Sequence, residues 1–277
     1  MNTTRNSTSL VAERFAARIR RRPPPGLVLR MDEVDLWRAE LDEQSPETFA
    51  ALRALLSPDE EERASRFYFE RDRRRFVVAR GILRTLLGRY LGRAPGTLQF
   101  RYGPNGKPAL VVRAGEAPLH FNVAHSDALA VFAFCRAGEI GIDVERIRPL
   151  TEWRQIAAAY FSAQEQARIE ACPEEQRAEE FFAAWTRQEA VLKAQGVGLA
   201  GASAATAAGP DPALTSRYRV HGLQVADGFA AALAVPAGTH RSTCHTWRGT
   251  VAPGWAGTRQ AAGRRVVRRG IQATHAS

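Results

Sequence analysis

The chain has 277 residues, of which 45% are hydrophobic, so it is long and apolar enough to bury a substantial core. Its formal net charge of +10 comes from the ends: residues 1–30 carry seven Arg and one Glu, residues 237–277 carry seven Arg and no acid, and the rest is −3. The basic composition is therefore weak support for nucleic-acid binding. No run approaches the roughly 20 apolar residues of a membrane-spanning helix, so no membrane segment is expected.

The two ends are expected to lie outside the folded part. Residues 1–26 are expected to form a disordered basic leader, which ends in the charged and proline-stiffened segment 20–26. An organelle transit peptide is a second interpretation of its Arg-rich, acid-poor start. Residues 237–277, rich in Arg, Gly and Ala, are expected to form a disordered basic tail. The three cysteines are widely spaced, which predicts neither disulfides nor a zinc site and fits a reducing cytoplasm.

The central segment alternates between strand-like and helix-like patterns. Strands are expected at residues 27–36, 109–112, 121–124, 129–136, 139–146, 218–225 and 229–235. Helices are expected at residues 46–56, 58–68, 74–91, 151–161, 162–170 and 173–195. Ser162 and Glu165 form the pattern of a capping box, and Gly196 is a typical helix stop. This order predicts an α/β fold of the α+β type, with two similar halves that meet near residue 138.

The segment 139–146, EIGIDVER, is the first candidate site. Side chains alternate along a strand, so the three aliphatic residues are expected on one face, and Asp143 and Glu145 together on the other. Neighbouring carboxylates repel unless a cation joins them, and hard oxygen ligands suit Mg²⁺ shared with substrate phosphates. The alternative is a solvated strand face whose charge is neutralised by Arg146 or Arg148.

The helix within residues 181–199, FFAAWTRQEAVLKAQGVGL, is the second candidate. Trp185, Glu189 and Lys193 are four residues apart and therefore line one face. Glu189 can supply a third carboxylate to the same metal, and Lys193 can meet a phosphate. The alternative is an ordinary Glu–Lys pair on a helix surface, which contributes about 0.3–0.5 kcal/mol, with Trp185 as a core residue.

Lysine is scarce, and its two positions are informative. Lys107 and Lys193 are the two lysines among 39 basic residues, so Arg serves wherever a positive charge suffices. A compact ammonium at these positions is consistent with phosphate contacts. Lys107 lies in the turn-rich segment 102–108, YGPNGKP, where Gly103 and Gly106 let a flat ring or a phosphate approach the backbone. This loop is expected to lift Lys107 out for contact.

The segment 121–127, FNVAHSD, ends a predicted strand with polar residues. His125 in this segment can donate to a phosphate, or it can simply cap the turn. A single histidine does not decide between these two interpretations.

The motifs NGKP, FNVAHS, IGIDVE and WTRQEAVLKAQGVGL occur in this order along the chain. Their succession resembles that of the surfactin-type phosphopantetheinyl transferases, which are monomeric, two-half members of their superfamily. The resemblance extends from about residue 34 to about residue 235 and includes SPDEEERASRFYFERDRRRFVVARGILRTLLG. It implies two α/β halves, residues 27–137 and 138–236, packed about a pseudo-twofold with the active site at their interface.

The same resemblance implies an activity. The chain is expected to transfer the phosphopantetheine group of coenzyme A to a serine of an apo acyl or peptidyl carrier protein, with release of 3′,5′-ADP. Mg²⁺ is the implied cofactor, and Asp143, Glu145 and Glu189 are its implied ligands. Glu189 would also take the proton of the acceptor serine, directly or through water. Lys193 would contact the pyrophosphate and the departing phosphate oxygen.

The remaining implied contacts are to coenzyme A. His125 would bind the 3′-phosphate, with help from Arg63 of the first half. Lys107, together with Gly106, would lie along the adenine and the phosphates. Arg75 would support the phosphate pocket. A cytoplasmic monomer that binds neither nucleic acid nor membrane is the expected setting.

Three positions depart from the family pattern. Ala124 replaces a serine that often precedes the histidine, Gln188 replaces a lysine before the catalytic glutamate, and Glu60 stands where a relative can have a phosphate-binding lysine. These departures leave open a non-catalytic protein that binds coenzyme A or a carrier. The basic ends leave open, with less support, a protein that binds nucleic acid.

Overall fold

A computed structural model describes residues 18–20, 27–197 and 217–249. Strands lie at Arg18–Arg20 (β1), Glu33–Glu40 (β2), Phe100–Tyr102 (β3), Pro108–Leu110 (β4), His120–Ser126 (β5), Leu129–Cys135 (β6), Gly141–Arg146 (β7), Tyr218–Leu223 (β8), Phe229–Pro236 (β9) and Arg241–Thr246 (β10). Helices lie at Pro46–Arg53 (α1), Pro58–Ser65 (α2), Glu70–Leu91 (α3), Trp153–Tyr160 (α4), Ala163–Glu170 (α5) and Glu174–Gln195 (α6). Most predicted elements are confirmed to within a few residues. The first strand begins later than expected, at Glu33.

The helix ends follow local signals in the sequence. The 22-residue helix α3 begins four residues earlier than predicted, with Glu70 placing negative charge on its first turn. It ends at Gly92, whose φ of 61° lies in the left-handed region that glycine adopts readily. Helix α6, also of 22 residues, ends at Gly196 as predicted, again with a positive φ. The predicted capping box of Ser162 and Glu165 opens α5.

The two halves repeat one arrangement. In the first, β2 is followed by three helices, by the β3–β4 pair and then by β5 and β6, and β2, β5 and β6 pair in the order β2-β6-β5. In the second, β7 is followed by three helices and then by β8 and β9, which pair in the order β7-β9-β8. All of these neighbours are antiparallel. The predicted α/β fold of two similar halves is therefore confirmed.

The halves share an apolar core. Leu36 and Val131 on the first sheet belong to the same buried cluster as Ile142, Val144 and Leu233 on the second. Each such side chain contributes about 1.5–3 kcal/mol when it is fully buried, so this shared cluster holds the two sheets firmly together. A site built from both halves therefore rests on a rigid base. Within the described ranges, no helix is long and apolar enough to cross a membrane.

The expectation of disorder beyond residue 237 is wrong for β10. Strand Arg241–Thr246 inserts parallel to β2 and continues the sheet of the first half, and Arg18–Arg20 of the predicted leader pairs with its other edge. His245 of β10 is buried and stacks on Trp37 of β2, with 4.4 Å between the ring centroids. The rest of the predicted leader and tail, residues 1–17, 21–26 and 250–277, lies outside the described residues.

Candidate active site

Strand β7 and helix α6 meet closely because Gly141 has no side chain. A Cβ atom at this position would lie 1.9 Å from the carbonyl oxygen of Ala190 and 2.5 Å from the amide nitrogen of Ala194. Such contacts are impossible, so any other residue at position 141 would push α6 away. The glycine therefore lets the acidic face of β7 and the Glu189–Lys193 face of α6 come together.

Asp143 and Lys193 form an ion pair between these two elements. The Nζ atom of Lys193 donates to Asp143 Oδ1 at 2.6 Å. Asp143 is 4% exposed, so the alternative of a solvated strand face is wrong for this residue. Burial raises the pKa of the Asp143 carboxyl to about 6; Lys193 opposes the shift, and Glu145 and Glu189 add to it.

Glu189 lies half-buried on α6, one turn before Lys193. Its Oε1 atom is buried and has no hydrogen-bond partner among the described residues. Burial raises the pKa of Glu189, and the charge of Glu145 adds to this effect while Lys193 opposes it. Since Lys193 forms its ion pair with Asp143 on β7, the interpretation of an ordinary helix-surface pair does not account for its position. Trp185 packs against Phe181 and other aromatic rings and is a core residue.

Glu145 is held from the other half of the molecule. Ser126, at the end of β5, donates its hydroxyl to Glu145 Oε2 at 2.9 Å. The Ser126 Oγ atom also accepts a hydrogen bond from the backbone amide of Arg146 at 3.0 Å. Sequence reasoning missed Ser126. The available signal was its four-residue spacing from Asn122 in the same motif, since alternate residues share one face of a strand.

His125 lies near the same cluster. Its imidazole remains accessible to solvent, but partial desolvation lowers its pKa, and the positive charges of Lys193 and Arg75 lower it further. Arg75 makes a bidentate ion pair with Asp42, with nitrogen–oxygen distances of 2.9 and 2.7 Å. The hydrogen bond to Asp42 raises the pKa of Arg75. The structure thus brings His125, Arg75 and Lys193 into one electrostatic environment.

Lys107 differs from the expectation of a side chain lifted out for contact. It is largely buried, and its Nζ donates to Glu139 Oε2 at 2.7 Å and to the carbonyl of Ile140 at 3.2 Å. The other oxygen of Glu139 pairs with Nδ1 of His120 at 3.0 Å. The hydrogen bond from His120 and, after it, that from Lys107 lower the pKa of Glu139 to about 2. The ion pair with Glu139 therefore holds the Lys107 side chain at the start of the second half.

The loop before Lys107 reaches the end of α6. Gly106 has a φ of 75°, a left-handed conformation, and its amide closes a turn onto the carbonyl of Gly103 at 2.9 Å. The amide group of Asn105 donates to the carbonyl of Gly196 at 2.9 Å. The predicted tight loop is confirmed, and it borders the helix that carries Glu189.

Arg63 and Glu60 lie on helix α2. The guanidinium of the exposed Arg63 lies over the rings of Phe76 and Tyr102, with its central carbon 5.6 and 5.9 Å from their centroids. Within the described residues, these ring contacts do not join Arg63 to the carboxylate cluster. Glu60 is 1% exposed and accepts from Arg84 Nε at 2.6 Å. The Glu60 carboxylate therefore has a structural role, since it also accepts from the amide of Ser57 in the capping box of α2.

The three carboxylates suit a hard divalent cation by their chemistry. Within the described part of the chain, no group of three His, Cys, Asp or Glu residues is gathered closely enough to hold a metal as it stands. Asp143 Oδ2 and Glu189 Oε1 are nevertheless buried oxygens without a hydrogen-bond partner in residues 18–20, 27–197 and 217–249. Oxygen atoms of this kind are the ligands that Mg²⁺ takes together with substrate phosphates. The residues present therefore fit Mg²⁺ if substrate oxygens complete its coordination.

Comparison with known proteins also divides the chain into two halves. The family model described as "4'-phosphopantetheinyl transferase, N-terminal" matches residues 42–136, and that described as "4'-phosphopantetheinyl transferase superfamily" matches residues 139–235. The 4'-phosphopantetheinyl transferase HetI of Nostoc sp. is 46% identical over 177 residues, which cover 64% of this chain and 74% of HetI. The chain belongs to the 4′-phosphopantetheinyl transferase superfamily. The resemblance expected from the motif succession is thereby confirmed.

More distant members match over shorter regions. The 4'-phosphopantetheinyl transferase AcpT of Escherichia coli is 41% identical over 113 residues, or 41% of this chain and 55% of AcpT. The 4'-phosphopantetheinyl transferase Sfp of Bacillus subtilis is 28% identical over 147 residues, or 53% of this chain and 62% of Sfp. These relatives carry names of enzymes, so neither a non-catalytic binding protein nor a nucleic-acid-binding protein is favoured.

Proposed function

We propose that this protein transfers the 4′-phosphopantetheine group of coenzyme A to a serine hydroxyl of an apo acyl or peptidyl carrier protein. The observation that carries the proposal is the proximity of the buried Asp143 to the half-buried Glu189 and Lys193, with Glu145 beside them, in a chain of this superfamily. Carboxylates with raised pKa values next to an ammonium are the groups that phosphoryl transfer requires.

The reaction exchanges one phosphorus–oxygen bond for another. The serine oxygen bonds to the phosphorus that carries the pantetheine, and the bond from that phosphorus to the 3′,5′-ADP oxygen breaks. The electron pair of the broken bond leaves with 3′,5′-ADP. A serine hydroxyl is a weak nucleophile and needs a nearby base. Glu189 is our candidate, because its Oε1 has no hydrogen-bond partner in the part of the chain that the structure describes, and its raised pKa makes it a better proton acceptor than an ordinary carboxylate.

Mg²⁺ is the proposed cofactor, and Asp143, Glu145 and Glu189 are its proposed ligands. When bound, the ion would neutralise pyrophosphate charge and assist the departure of the leaving group as a Lewis acid. Lys193 would contact the pyrophosphate and the departing oxygen. Its ion pair with Asp143 holds the ammonium in place before substrate arrives.

Coenzyme A is proposed to lie along the boundary between the halves. His125 would hydrogen-bond the 3′-phosphate, and Arg63 and Arg75 would supply positive charge to the phosphate pocket. Arg75 is preorganised by its bidentate pair with Asp42. Lys107 and Gly106 would border the adenine and the phosphates, and Lys107 would have to share its ammonium with Glu139.

We further propose that the protein works as a monomer in the cytoplasm and without nucleic acid. One chain supplies both sides of the site, His125 and Ser126 from the first half and Asp143 and Glu145 from the second. The three cysteines are free thiols, as a reducing compartment would keep them.

The test is the intact mass of an apo carrier protein after incubation with this protein, coenzyme A and Mg²⁺. The proposal expects the carrier to gain the mass of one phosphopantetheine group. It expects no gain when the acceptor serine of the carrier is replaced by alanine, or when coenzyme A is omitted. A panel of fatty-acid, polyketide and peptide-synthetase carriers should be assayed together. If the protein binds coenzyme A but modifies no carrier, the proposal fails and a non-catalytic binding protein replaces it.

A further inference from the structure

Ser126 uses one oxygen to hold two groups of the opposite half. Its Oγ donates to Glu145 Oε2 at 2.9 Å and accepts from the amide of Arg146 at 3.0 Å. An amide can only donate and an ionised carboxylate can only accept, so the direction of both bonds is fixed. We propose that Ser126 is a positioning residue that presents Glu145 to the Mg²⁺–coenzyme A complex. This inference rests on the proposed function and adds a residue to it.

The hydrogen bond from the Arg146 amide to Ser126 is one of two similar side chain–backbone hydrogen bonds between the halves. Asn122 Oδ1 accepts from the amide of Ile142 at 2.8 Å. Asn122 and Ser126 are four residues apart on β5, and Ile142 and Arg146 are four residues apart on β7. Since β5 and β7 are the edge strands of two different sheets, these side chains take the place of a backbone ladder between them. The Ser126 hydroxyl is therefore fixed relative to the backbone that carries Glu145.

This placement restricts Glu145. A glutamate side chain rotates about three bonds, and the half-buried Glu145 has no need to face the site unless something holds it there. The bond from Ser126 engages Oε2 and leaves Oε1 to act as a ligand. Ser126 also follows His125, the proposed 3′-phosphate contact. Two neighbouring residues of β5 would then act at two different places, His125 at the 3′-phosphate on the ribose and Ser126 at a metal ligand.

The chain offers a closely matched control. Ser162, at the start of α5, donates its hydroxyl to Glu165 Oε2 at 3.0 Å and accepts from the amide of Glu165 at 3.3 Å. It therefore makes the same pair of bonds, to a glutamate and to an amide, but at a helix cap outside the proposed site. Replacing Ser162 by alanine removes equivalent bonds without touching Glu145.

The experiment is a calorimetric titration of Mn²⁺ into the complex of the full-length protein with coenzyme A, with no carrier present. Partners of metal ligands typically change metal affinity 10–100-fold when they are removed, so we expect Ser126→Ala to weaken Mn²⁺ binding by about this factor. Ser126→Thr keeps the hydroxyl, and we expect it and Ser162→Ala to stay within about threefold of the wild type. The melting temperature of each variant is recorded on the same preparation.

The outcomes separate this inference from the proposed function. Wild-type Mn²⁺ affinity in Ser126→Ala overturns the positioning role. Equal weakening in Ser126→Ala and Ser162→Ala also overturns it, because the effect would then be general destabilisation. Failure of Ser126→Thr to recover affinity, in a protein that melts like the wild type, overturns it as well. Absence of Mn²⁺ uptake by the wild-type complex refutes the metal ligands and the inference together, whereas absence of carrier modification, with the expected Mn²⁺ affinities, refutes the proposed function alone.

Discussion

Replacing Asp143 by asparagine is expected to stabilise the free protein at neutral pH and to abolish transfer. Burial raises the pKa of Asp143 from 3.8 to about 6, so the folded protein holds this proton more tightly than the unfolded chain does. Between these two values the native state binds more protons, and stability therefore falls as pH rises through the window. Above pH 6 the loss is complete. The two pK units correspond to about 3 kcal/mol at 1.36 kcal/mol each.

Asparagine resembles the neutral acid in shape and cannot ionise. The net shift already contains the attraction of Lys193, so removal of that ion pair needs no separate correction. We expect the variant to gain up to about 3 kcal/mol at pH 8, and each kcal/mol raises the melting temperature by about 2–4 °C in a chain of this size. The difference should shrink as pH falls towards 3.8, below which Asp143 is protonated in both the folded and the unfolded protein.

The assay is thermal unfolding between pH 4.5 and pH 8, without divalent metal and without coenzyme A. Asp42→Asn is the control, and it is expected to lower the melting temperature at pH 8. The hydrogen bond from Arg75 lowers the pKa of Asp42, so the ionised form of this carboxyl stabilises the fold. The reasoning is refuted if Asp143→Asn melts below the wild type at pH 8. It is also refuted if the difference between the two proteins does not change with pH.

Three further substitutions test other parts of the account. Lys193→Ala should raise the KM for coenzyme A. Lys193→Arg should bring the KM only part of the way back to the wild-type value, since a planar guanidinium does not replace a compact ammonium. A wild-type KM in Lys193→Arg would contradict this prediction. Glu139→Gln should lower the urea midpoint of unfolding at pH 7, because the pKa of Glu139 is lowered to about 2. The ionised carboxylate stabilises the fold fully above pH 4.5, and this stabilisation is lost as pH falls through 2. Equal urea midpoints of the two proteins at pH 7 would contradict this prediction. Arg84→Met should lower the free energy of unfolding in urea by about 3–5 kcal/mol, because it leaves the buried Glu60 carboxylate without the guanidinium that lies 2.6 Å away. A loss no larger than that of a surface ion pair would contradict this prediction.

Much of the site follows from local periodicity. The alternation of β7 predicts that Asp143 and Glu145 share a face, and the four-residue spacing of α6 predicts that Glu189 and Lys193 share another. The burial of Asp143 could not be predicted in this way. It depends on how closely α6 approaches β7, and that distance is set by Gly141 against the backbone of the helix.

The ion-pair partners of several charged residues could not be predicted from the sequence either. Lys107 is engaged by Glu139, which is 32 residues away, and Glu60 by Arg84, which is 24 residues away. Strand β10 was missed because its composition is typical of a solvated tail, and it becomes a strand through pairing with β2, two hundred residues earlier. Non-local pairing of this kind leaves little trace in a single sequence.

The most direct test of the central claim compares the wild type with Glu189→Gln. Both are incubated with an apo carrier at saturating coenzyme A and Mg²⁺, the carrier mass is followed with time, and coenzyme A binding is titrated on the same preparations. We predict that the wild type adds one phosphopantetheine group, whereas Glu189→Gln still binds coenzyme A but transfers about 10²–10⁴-fold more slowly, as loss of a general base requires. An unmodified carrier with the wild type, or transfer by the variant within about threefold of the wild type, would contradict the account.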